Sequence, residues 1–397
     1  MSRAVTILAL VAIGVVGCAR PGTPSALDTP AAATDAPDIA SPSPGSPAST
    51  APGASLDATT VPGGRIAYMR VDADKVERYF TVDPLGTNEL ALFETRGCAC
   101  IRWSPDGTQL WTVTETETGL RYTTMDPDGG NVQVHVPDIQ TLNLAPGFGS
   151  ADGQHVGFFG WDDTDASRTG VWVARSNLED LRQVSASPEG VLGIDPVGMS
   201  ADGSHLYFHG DLGPNDDNDF HHAGNVYVVA TDGTGLRQLN PEGTLTEVTG
   251  EGLSADGGRL AFTAWQAGSG DEGNALFVVD GPGGDVERVT DWTVGLWGAS
   301  WAPTGDWIAL IQAFGDVRVP SLVRPDGRGL RAISAIESSE PAFGPAWSPD
   351  GTHFLVRRGS QHANDLWIMD LEGTFVWQVT NRPASYDIYA WAPPVDR

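Results

Sequence analysis

The chain has 397 residues, of which 40% are apolar, and this is enough for one large hydrophobic core. Its formal net charge is −28 and Lys75 is the only lysine, which argues against a nucleic acid or an anionic membrane as a binding surface and favours a solvated acidic surface. The 49 glycines and 28 prolines favour a protein built from strands and turns.

The first 18 residues predict a targeting segment. Arg3 supplies a positive n-region, and residues 4–17 form an apolar segment too short to span a bilayer comfortably. The segment ends in Val15-Val16-Gly17-Cys18, which resembles the bacterial lipobox. The resemblance implies an exported protein that is lipid-anchored through Cys18 on the extracytoplasmic side of the membrane. An ordinary secretory signal with an incidental cysteine is the alternative.

Residues 19–62 predict a disordered tether. Pro, Ala, Ser, Thr and Gly dominate this segment, and large apolar residues are almost absent. Such a composition cannot bury a core. We therefore expect a signal peptide at 1–18, a tether at 19–62 and one folded domain at 63–397.

A short turn motif recurs through the folded domain. Its clearest copy is Trp347-Ser348-Pro349-Asp350-Gly351, in which a tight turn follows an apolar residue and precedes a strand. Glycine suits such turns because it accepts a positive φ at little cost. Other copies begin at Trp103, Gly149, Met199, Leu253 and Trp301, and a degenerate copy begins at Trp391. The spacing of 44 to 54 residues between copies is that of four-stranded propeller blades.

These repeats predict an all-β fold, a seven-bladed β-propeller of four-stranded blades. Residues 63–95 contain three strands without the turn motif, and the missing innermost strand is residues 387–391 at the other end of the chain. We expect this C-terminal strand to complete the N-terminal blade and close the ring. Closure would remove the open sheet edges that invite aggregation. The recurring Trp103, Trp301, Trp347 and Trp391 are expected in the core.

The repeat resembles the WD-like propeller repeat of the TolB family across residues 63–397. The resemblance implies a propeller fold. We expect no counterpart here of the α/β domain that precedes the propeller in that family, because the predicted tether stands in its place. Similar repeats form a propeller domain next to the catalytic domain of prolyl-oligopeptidase-like enzymes, and they make up most of the fold of oligogalacturonate lyases.

The candidate binding residues lie in the loops that join the second and third strands of the blades. These loops and the connections between blades emerge on one face, where binding residues usually gather on a rigid scaffold. Acidic groups beside aromatic rings suit a cation, a basic peptide or a sugar stacked on tryptophan. The candidates are Trp161, Asp162, Asp163, Asp211, Asp216, Asp217, Asp219 and Trp265.

The loop from Asp211 to Asp219 is the densest of these. Its oxygens suit Ca²⁺, which takes about 6–8 oxygen ligands, although no glycine and no closing glutamate complete the usual calcium loop. A solvated acidic insertion is the alternative. The weaker candidates for a transition metal are His209, His221 and His222, for which ordinary surface histidines are the alternative.

Cys98 and Cys100 leave several interpretations open. In an extended strand their Cα atoms would lie about 6.6 Å apart, near the upper limit for a disulfide. A strained bridge, a free pair, a soft-metal contact or simple packing all fit the spacing. Hydrolase chemistry is not indicated, because the sequence contains no Gly-x-Ser-x-Gly motif.

The function predicted from these features is a lipid-anchored, exported, non-catalytic binding propeller of the cell envelope. It would act as a monomer on a protein, peptide or glycan and require no cofactor. The alternative is a metal-dependent carbohydrate-active enzyme of the oligogalacturonate-lyase type, with its site in the central funnel. Carboxylates and histidines that converge from different blades would favour the enzyme, and carboxylates splayed at the rim would favour binding.

Overall fold

The computed structural model describes residues 61–72, 74–95, 101–117, 119–191, 193–212, 224–247, 252–266, 273–292, 295–314, 317–333, 346–360, 363–382 and 384–393. These residues form 28 strands and a short 3-10 helix, Ala166–Arg168. Within the described part of the chain, no helix is long and apolar enough to cross a bilayer. The predicted signal peptide and nearly all of the predicted tether lie outside the described residues, as do Cys98 and Cys100.

The first sheet joins the two ends of the domain. Its order is β28-β1-β2-β3, and its strands are β1 (Ile66–Val71), β2 (Glu77–Val82), β3 (Leu90–Thr95) and β28 (Ser385–Trp391). The pairing of β1 with β28 is antiparallel, with Ile66 opposite Trp391. The predicted C-terminal strand is therefore present and lies beside the first strand of the domain.

The next two sheets each contain four consecutive antiparallel strands. One consists of β4 (Arg102–Trp103), β5 (Leu110–Thr116), β6 (Gly119–Met125) and β7 (Gln133–Val134). The other consists of β8 (Leu142–Gly149), β9 (His155–Asp162), β10 (Gly170–Arg175) and β11 (Arg182–Ala186).

The middle of the chain forms one sheet of eight strands. Its first four strands are β12 (Gly193–Met199), β13 (His205–Asp211), β14 (Gly224–Ala230) and β15 (Arg237–Gln238). The other four are β16 (Thr244–Glu247), β17 (Arg259–Gln266), β18 (Ala275–Asp280) and β19 (Val286–Arg288). The two groups are connected by one paired position, Gly224 opposite Thr246.

Two further four-stranded sheets complete the described structure. The first contains β20 (Leu296–Trp301), β21 (Ile308–Phe314), β22 (Val317–Val323) and β23 (Arg331–Ala332). The second contains β24 (Ala346–Trp347), β25 (His353–Ser360), β26 (Ala363–Asp370) and β27 (Phe375–Gln378). The fold is thus an all-β propeller with four-stranded blades. Five blades are separate four-stranded sheets, rather than the seven predicted, because the remaining eight strands form one continuous sheet.

The recurring motif forms the turn between the first two strands of a blade. In the copy at Ser348, the hydroxyl donates to Oδ1 of Asp350 at 2.7 Å and accepts the backbone N–H of His353 at 2.9 Å. Oδ1 of Asp350 also accepts the N–H of Thr352 at 3.0 Å, and Gly351 has φ 69°. The serine and aspartate thus satisfy the backbone of the turn that the glycine makes sterically possible. This structural role explains why the motif repeats from blade to blade.

The recurring tryptophans lie in the core, as predicted. Trp103, Trp301, Trp347 and Trp391 are between 5% and 8% exposed. The indole N–H of Trp103 donates to the carbonyl of Ala390, and that of Trp347 donates to the carbonyl of Ser300. Each of these two rings therefore links one sheet to the sheet before it, in addition to filling the space between them.

The strand directions define two faces. The turn face carries the recurring turn and the turns between third and fourth strands. The loop face carries the connections between second and third strands and those that lead to the next blade. The candidate residues named from the sequence belong to the loop face, where binding residues usually gather on a rigid scaffold.

Candidate functional site

Most of the predicted calcium loop lies outside the described residues. The same holds for the two histidines that follow it, and the residues concerned are Asp216, Asp217, Asp219, His221 and His222. The predictions of a Ca²⁺ site there and of metal binding by His221 and His222 therefore stay predictions. Asp211 and His209, from the same region, are described and belong to β13.

Two candidates from the Trp161 region are not loop residues. Trp161 and Asp162 are the last residues of β9 and are 6% and 3% exposed. Trp161 stacks on Phe159 with ring centroids 5.2 Å apart. The prediction of an open loop is wrong for these two residues, because the strand continues through both of them and both are buried. Asp163, directly after the strand, is exposed, and Trp265 is half-buried on β17.

The carboxylate of Asp162 is already occupied by contacts within the fold. It accepts hydrogen bonds from the hydroxyls of Thr164 and Thr141 at 2.6 and 2.7 Å, and from Nη1 of Arg168 at 2.6 Å. Hydrogen bonds from Thr164 and then Thr141 hold the pKa of Asp162 well below its ordinary value. Asp162 therefore connects the segment before β8 to the turn after β9 by hydrogen bonds. Few acceptor positions of its carboxylate remain for an external ligand.

A cluster of one histidine and two aspartates lies at the loop-face end of the eight-stranded sheet. Asp195, His209 and Asp211 each place a potential ligand atom within 4.8 Å of the others. Asp195 is directly opposite His209 in the pairing of β12 with β13. The side chains of His209 and Asp211 are 2% and 4% exposed. Such a group of titratable side chains away from water needs compensation by hydrogen bonds, ion pairs or a cation.

The imidazole of His209 contacts acceptors on both sides. Nδ1 lies 3.1 Å from Oδ1 of Asp211, and Nε2 lies 2.9 Å from the backbone carbonyl oxygen of Thr246. A carbonyl only accepts, so Nε2 carries a hydrogen. Burial alone would lower the pKa of His209. The pKa is nevertheless raised overall, by the hydrogen bond and charge of Asp211, by the charge of Asp195 and by the hydrogen bond to the Thr246 carbonyl. These contacts therefore favour the protonated form of the ring more than in an ordinary histidine.

Asp195 has the weakest compensation in the cluster. Its Oδ2 atom is buried and has no hydrogen-bond partner among the described residues, although part of the residue reaches solvent. Burial raises the pKa of Asp195 to about 7, and the charge of Asp211 adds to the increase, whereas His209 and Arg102 oppose it. The guanidinium of Arg102 lies over the ring of Phe148, 4.2 Å from its centroid. A carboxyl of this kind favours either a proton or a cation close to Oδ2.

The alternation of side chains along β13 explains the position of the cluster. Leu206 and Phe208 pack in the apolar cluster on the side of the preceding blade, whereas Tyr207 packs in the cluster on the side of the following strands. His209 and Asp211 follow Tyr207 at intervals of two residues and so lie on its face of the sheet. The cluster therefore covers the loop-face end of the apolar contact between β12–β14 and β16–β18.

Sequence reasoning named His209 and Asp211 but missed Asp195. A signal was present, because Asp195 stands four residues before the turn motif that begins at Met199. The same position is Ala145 in the preceding repeat and Trp297 in a later one. The position is polar in two other repeats, however, with Thr249 before the copy at Leu253 and Asp387 before the copy at Trp391, so the sequence signal for Asp195 was weak.

The second feature of the loop face is a rim of exposed carboxylates. They belong to connections that follow the second or fourth strand of successive blades. They are Glu117, Asp138, Asp163, Glu189, Glu242 and Asp291. The basic side chains Arg78 and Arg168 on the same face form ion pairs with acidic neighbours. This part of the loop face therefore presents negative charge that several blades contribute.

Comparison with known proteins supports the fold. No protein-family model and no curated protein sequence matches the chain. Among solved structures, TolB from Acinetobacter baumannii is 19% identical with a TM-score of 0.50, and the match covers 83% of this chain and 67% of TolB. An oligogalacturonate lyase in complex with manganese is 14% identical with a TM-score of 0.54, covering 80% of this chain and 83% of the lyase.

A prolyl endopeptidase is also similar, at 15% identity and a TM-score of 0.52. The match covers 72% of this chain but only 43% of the endopeptidase, so the chain spans less than half of that protein. At such low identities the likenesses establish the fold alone. The fold is that of a TolB-like β-propeller, and the resemblance identified from the repeat is confirmed to that extent.

Proposed function

We propose that this chain is an exported, lipid-anchored, non-catalytic propeller of the cell envelope whose loop face binds a basic segment of an envelope protein. The observation that carries the proposal is the rim of exposed carboxylates at the ends of successive blades. Negative charge distributed in this way attracts an extended cationic partner and selects against anionic ones. The lipobox-like sequence at Cys18 and the tether to residue 62 supply the location.

A complete ring of seven blades is part of this proposal. The eight-stranded sheet is divisible into β12–β15 and β16–β19, and Gly224 with Thr246 is the one paired backbone position between them among the described residues. Seven apolar clusters of the described residues lie between successive four-strand units. One of them joins Ile66 and Trp391 to Leu355 and Ile368, from the last blade. This packing supports a ring closed where the two ends of the domain meet.

The binding proposal is tested by neutralising the rim. The protein and two variants are immobilised, incubated with solubilised cell envelope and eluted with increasing salt. The rim variant is Glu117→Gln, Asp138→Asn, Asp163→Asn, Glu189→Gln, Glu242→Gln and Asp291→Asn. The control changes the same number of exposed acidic residues away from the loop face: Glu179→Gln, Asp285→Asn, Glu287→Gln, Asp306→Asn, Asp326→Asn and Glu372→Gln.

We expect the wild-type protein and the control to retain the same basic partner, released by moderate salt because exposed charge pairs are screened. The rim variant should lose it. Equal capture by the rim variant and the wild type would show that the rim is not the binding surface and would overturn the proposal. Circular dichroism of both variants checks that the fold is retained.

A metal-dependent carbohydrate lyase is the second candidate, because the cluster around His209 has donors that suit a metal. Its three side chains come from two neighbouring strands of one blade, whereas a site in the central funnel would draw acids and bases from several. Incubation of the protein with oligogalacturonate and Mn²⁺, followed by detection of unsaturated sugar ends, decides between the two. Product formation that depends on His209 would favour the lyase.

A further inference from the structure

The contact between His209 and Asp211 has the spacing of two ligands on one ion. First-row divalent ions hold nitrogen and oxygen ligands at about 2.0–2.2 Å, so adjacent ligands lie about 3.3–3.6 Å apart in tetrahedral geometry and about 2.8–3.1 Å apart in octahedral geometry. Nδ1 of His209 and Oδ1 of Asp211 are 3.1 Å apart. A carboxylate oxygen of Asp195 lies within 4.8 Å of both.

The backbone orients the histidine for this role. The hydrogen bond from Nε2 to the carbonyl of Thr246 fixes the ring, and it leaves Nδ1 as the nitrogen that faces the two carboxylates. Metal-bound histidines commonly donate their other N–H to a carbonyl or carboxylate, which fixes the tautomer and strengthens the ligand. The fold therefore supplies the outer contact that a metal-binding histidine needs.

The unsatisfied oxygen of Asp195 is an independent observation. Oδ2 is buried and has no hydrogen-bond partner among the described residues. A buried carboxylate oxygen without a donor is costly, and a cation within reach of it removes that cost. Two carboxylates also balance the charge of one divalent ion, while the neutral imidazole completes the donor set.

Two glycines leave space around the cluster. A Cβ atom at Gly224 would lie 2.8 Å from Nε2 of His209, and one at Gly193 would lie 3.0 Å from Oδ2 of Asp211. Side chains at these positions would press on the donor groups. Glycine at these two positions therefore leaves the side chains of His209 and Asp211 the space that they occupy.

We propose that Asp195, His209 and Asp211 bind one first-row divalent transition ion, Mn²⁺ or Zn²⁺, at the junction between the two halves of the eight-stranded sheet. One imidazole with two carboxylates suits these ions better than Ca²⁺, which prefers a larger set of oxygens. The ion holds β12 and β13 together and, through His209, fastens them to β16. This inference is independent of the proposed binding role of the rim.

The test uses the full chain, expressed with its N-terminal leader in medium supplemented with Mn²⁺ or Zn²⁺ and extracted in detergent. Bound metal is measured by mass spectrometry in the wild type, His209→Gln, Asp195→Asn and the control His205→Gln. His205 lies on the same strand but at the turn-face end. We expect about one ion per chain in the wild type and the control. The two cluster variants should retain at least about tenfold less.

A further readout does not require a variant to fold. Electron paramagnetic resonance of the Mn²⁺-loaded wild type should show coupling to one imidazole nitrogen. If His209→Gln does not fold, Asp195→Asn, which changes only one oxygen to an amide, decides the outcome. The proposal is overturned if the wild type carries neither ion from either medium, if it carries only Ca²⁺, or if Asp195→Asn retains the wild-type content.

Discussion

Nε2 of His209 donates a hydrogen bond of 2.9 Å to the backbone carbonyl of Thr246. His209 belongs to β13 and Thr246 to β16, so one side chain connects the two halves of the eight-stranded sheet. The ring also faces Asp211 through Nδ1. This histidine is consequently both an electrostatic partner of a buried carboxylate and a mechanical link between neighbouring four-strand units.

Replacement of His209 by alanine should therefore destabilise the domain strongly. Removal of one partner from a buried ion pair typically costs about 3–5 kcal/mol, because the other charge remains buried. The free energy of unfolding, measured with urea in the presence of EDTA, should fall by an amount of this order. His205→Ala on the same strand is the matched control and should change it by less than about 1 kcal/mol. Equal losses in both variants would contradict the special role of His209.

Gly224 is the second element of the same junction. A Cβ atom there would lie 2.2 Å from the carbonyl oxygen of Gly210 and 2.8 Å from Nε2 of His209. Backbone and ring would both have to move, and such overpacking typically costs about 1–3 kcal/mol. Gly224→Ala should accordingly lower the free energy of unfolding by at least that amount in a denaturant titration.

Gly283→Ala is the control for this substitution. A Cβ atom at Gly283 would meet nothing within 4 Å, and this glycine is not among those with a positive φ. An alanine there should leave stability unchanged or raise it slightly, because the unfolded chain loses freedom. If Gly224→Ala behaves like Gly283→Ala, the close packing at the junction is not what holds the two strand groups together.

The repeating parts of the fold were predictable from sequence because local chemistry determines them. The turn needs serine, aspartate and glycine at fixed positions, and the apolar residue before it must fill the space between blades. Trp347 and Asp350 therefore identify a blade without any long-range information. The first sheet, which combines strands from both ends of the domain, was predictable for the same reason. Its C-terminal strand ends at Trp391, where a degenerate copy of the turn motif begins.

The parts that depend on long-range pairing were not predictable. The joining of eight strands into one sheet depends on Gly224 meeting Thr246, and nothing local to either residue specifies that pairing. The end of β9 was misplaced since an acidic residue after a tryptophan suggests a loop, whereas Thr141 and Arg168 satisfy Asp162 inside the fold. Asp195 was missed because its partners come from another strand.

The turn aspartates should make the domain sensitive to acid. Hydrogen bonds from Ser254 and the N–H of Gly258 hold the pKa of Asp256 below its ordinary value, and the equivalent pKa values are lowered at four other turns. A carboxyl with a lowered folded-state pKa contributes stability above its unfolded pKa of about 3.9, and this contribution is lost as the pH falls through the folded-state value. The free energy of unfolding should therefore decline below about pH 4.

Asp256→Asn isolates one of these contributions. The amide oxygen keeps the acceptor for Ser254 and Gly258 but does not titrate, so the variant should lose less stability than the wild type between about pH 4 and pH 2. Asp285→Asn, an exchange at an exposed residue in a turn between third and fourth strands, is the comparison and should follow the wild-type curve. Parallel curves for Asp256→Asn and the wild type would show that the turn hydrogen bonds do not carry this pH dependence.

The C-terminal strand should be essential to the whole domain. Trp391 donates its indole N–H to the carbonyl of Gly63, the N–H of Ala392 donates to the carbonyl of Arg65, and Tyr386 packs between the first and last sheets. Deletion of residues 388–397 removes these two hydrogen bonds and exposes an edge of β1, so cooperative thermal unfolding should disappear. Deletion of residues 395–397 spares them and should leave the melting curve unchanged. If the longer deletion also melts like the wild type, β28 does not hold the two ends of the domain together.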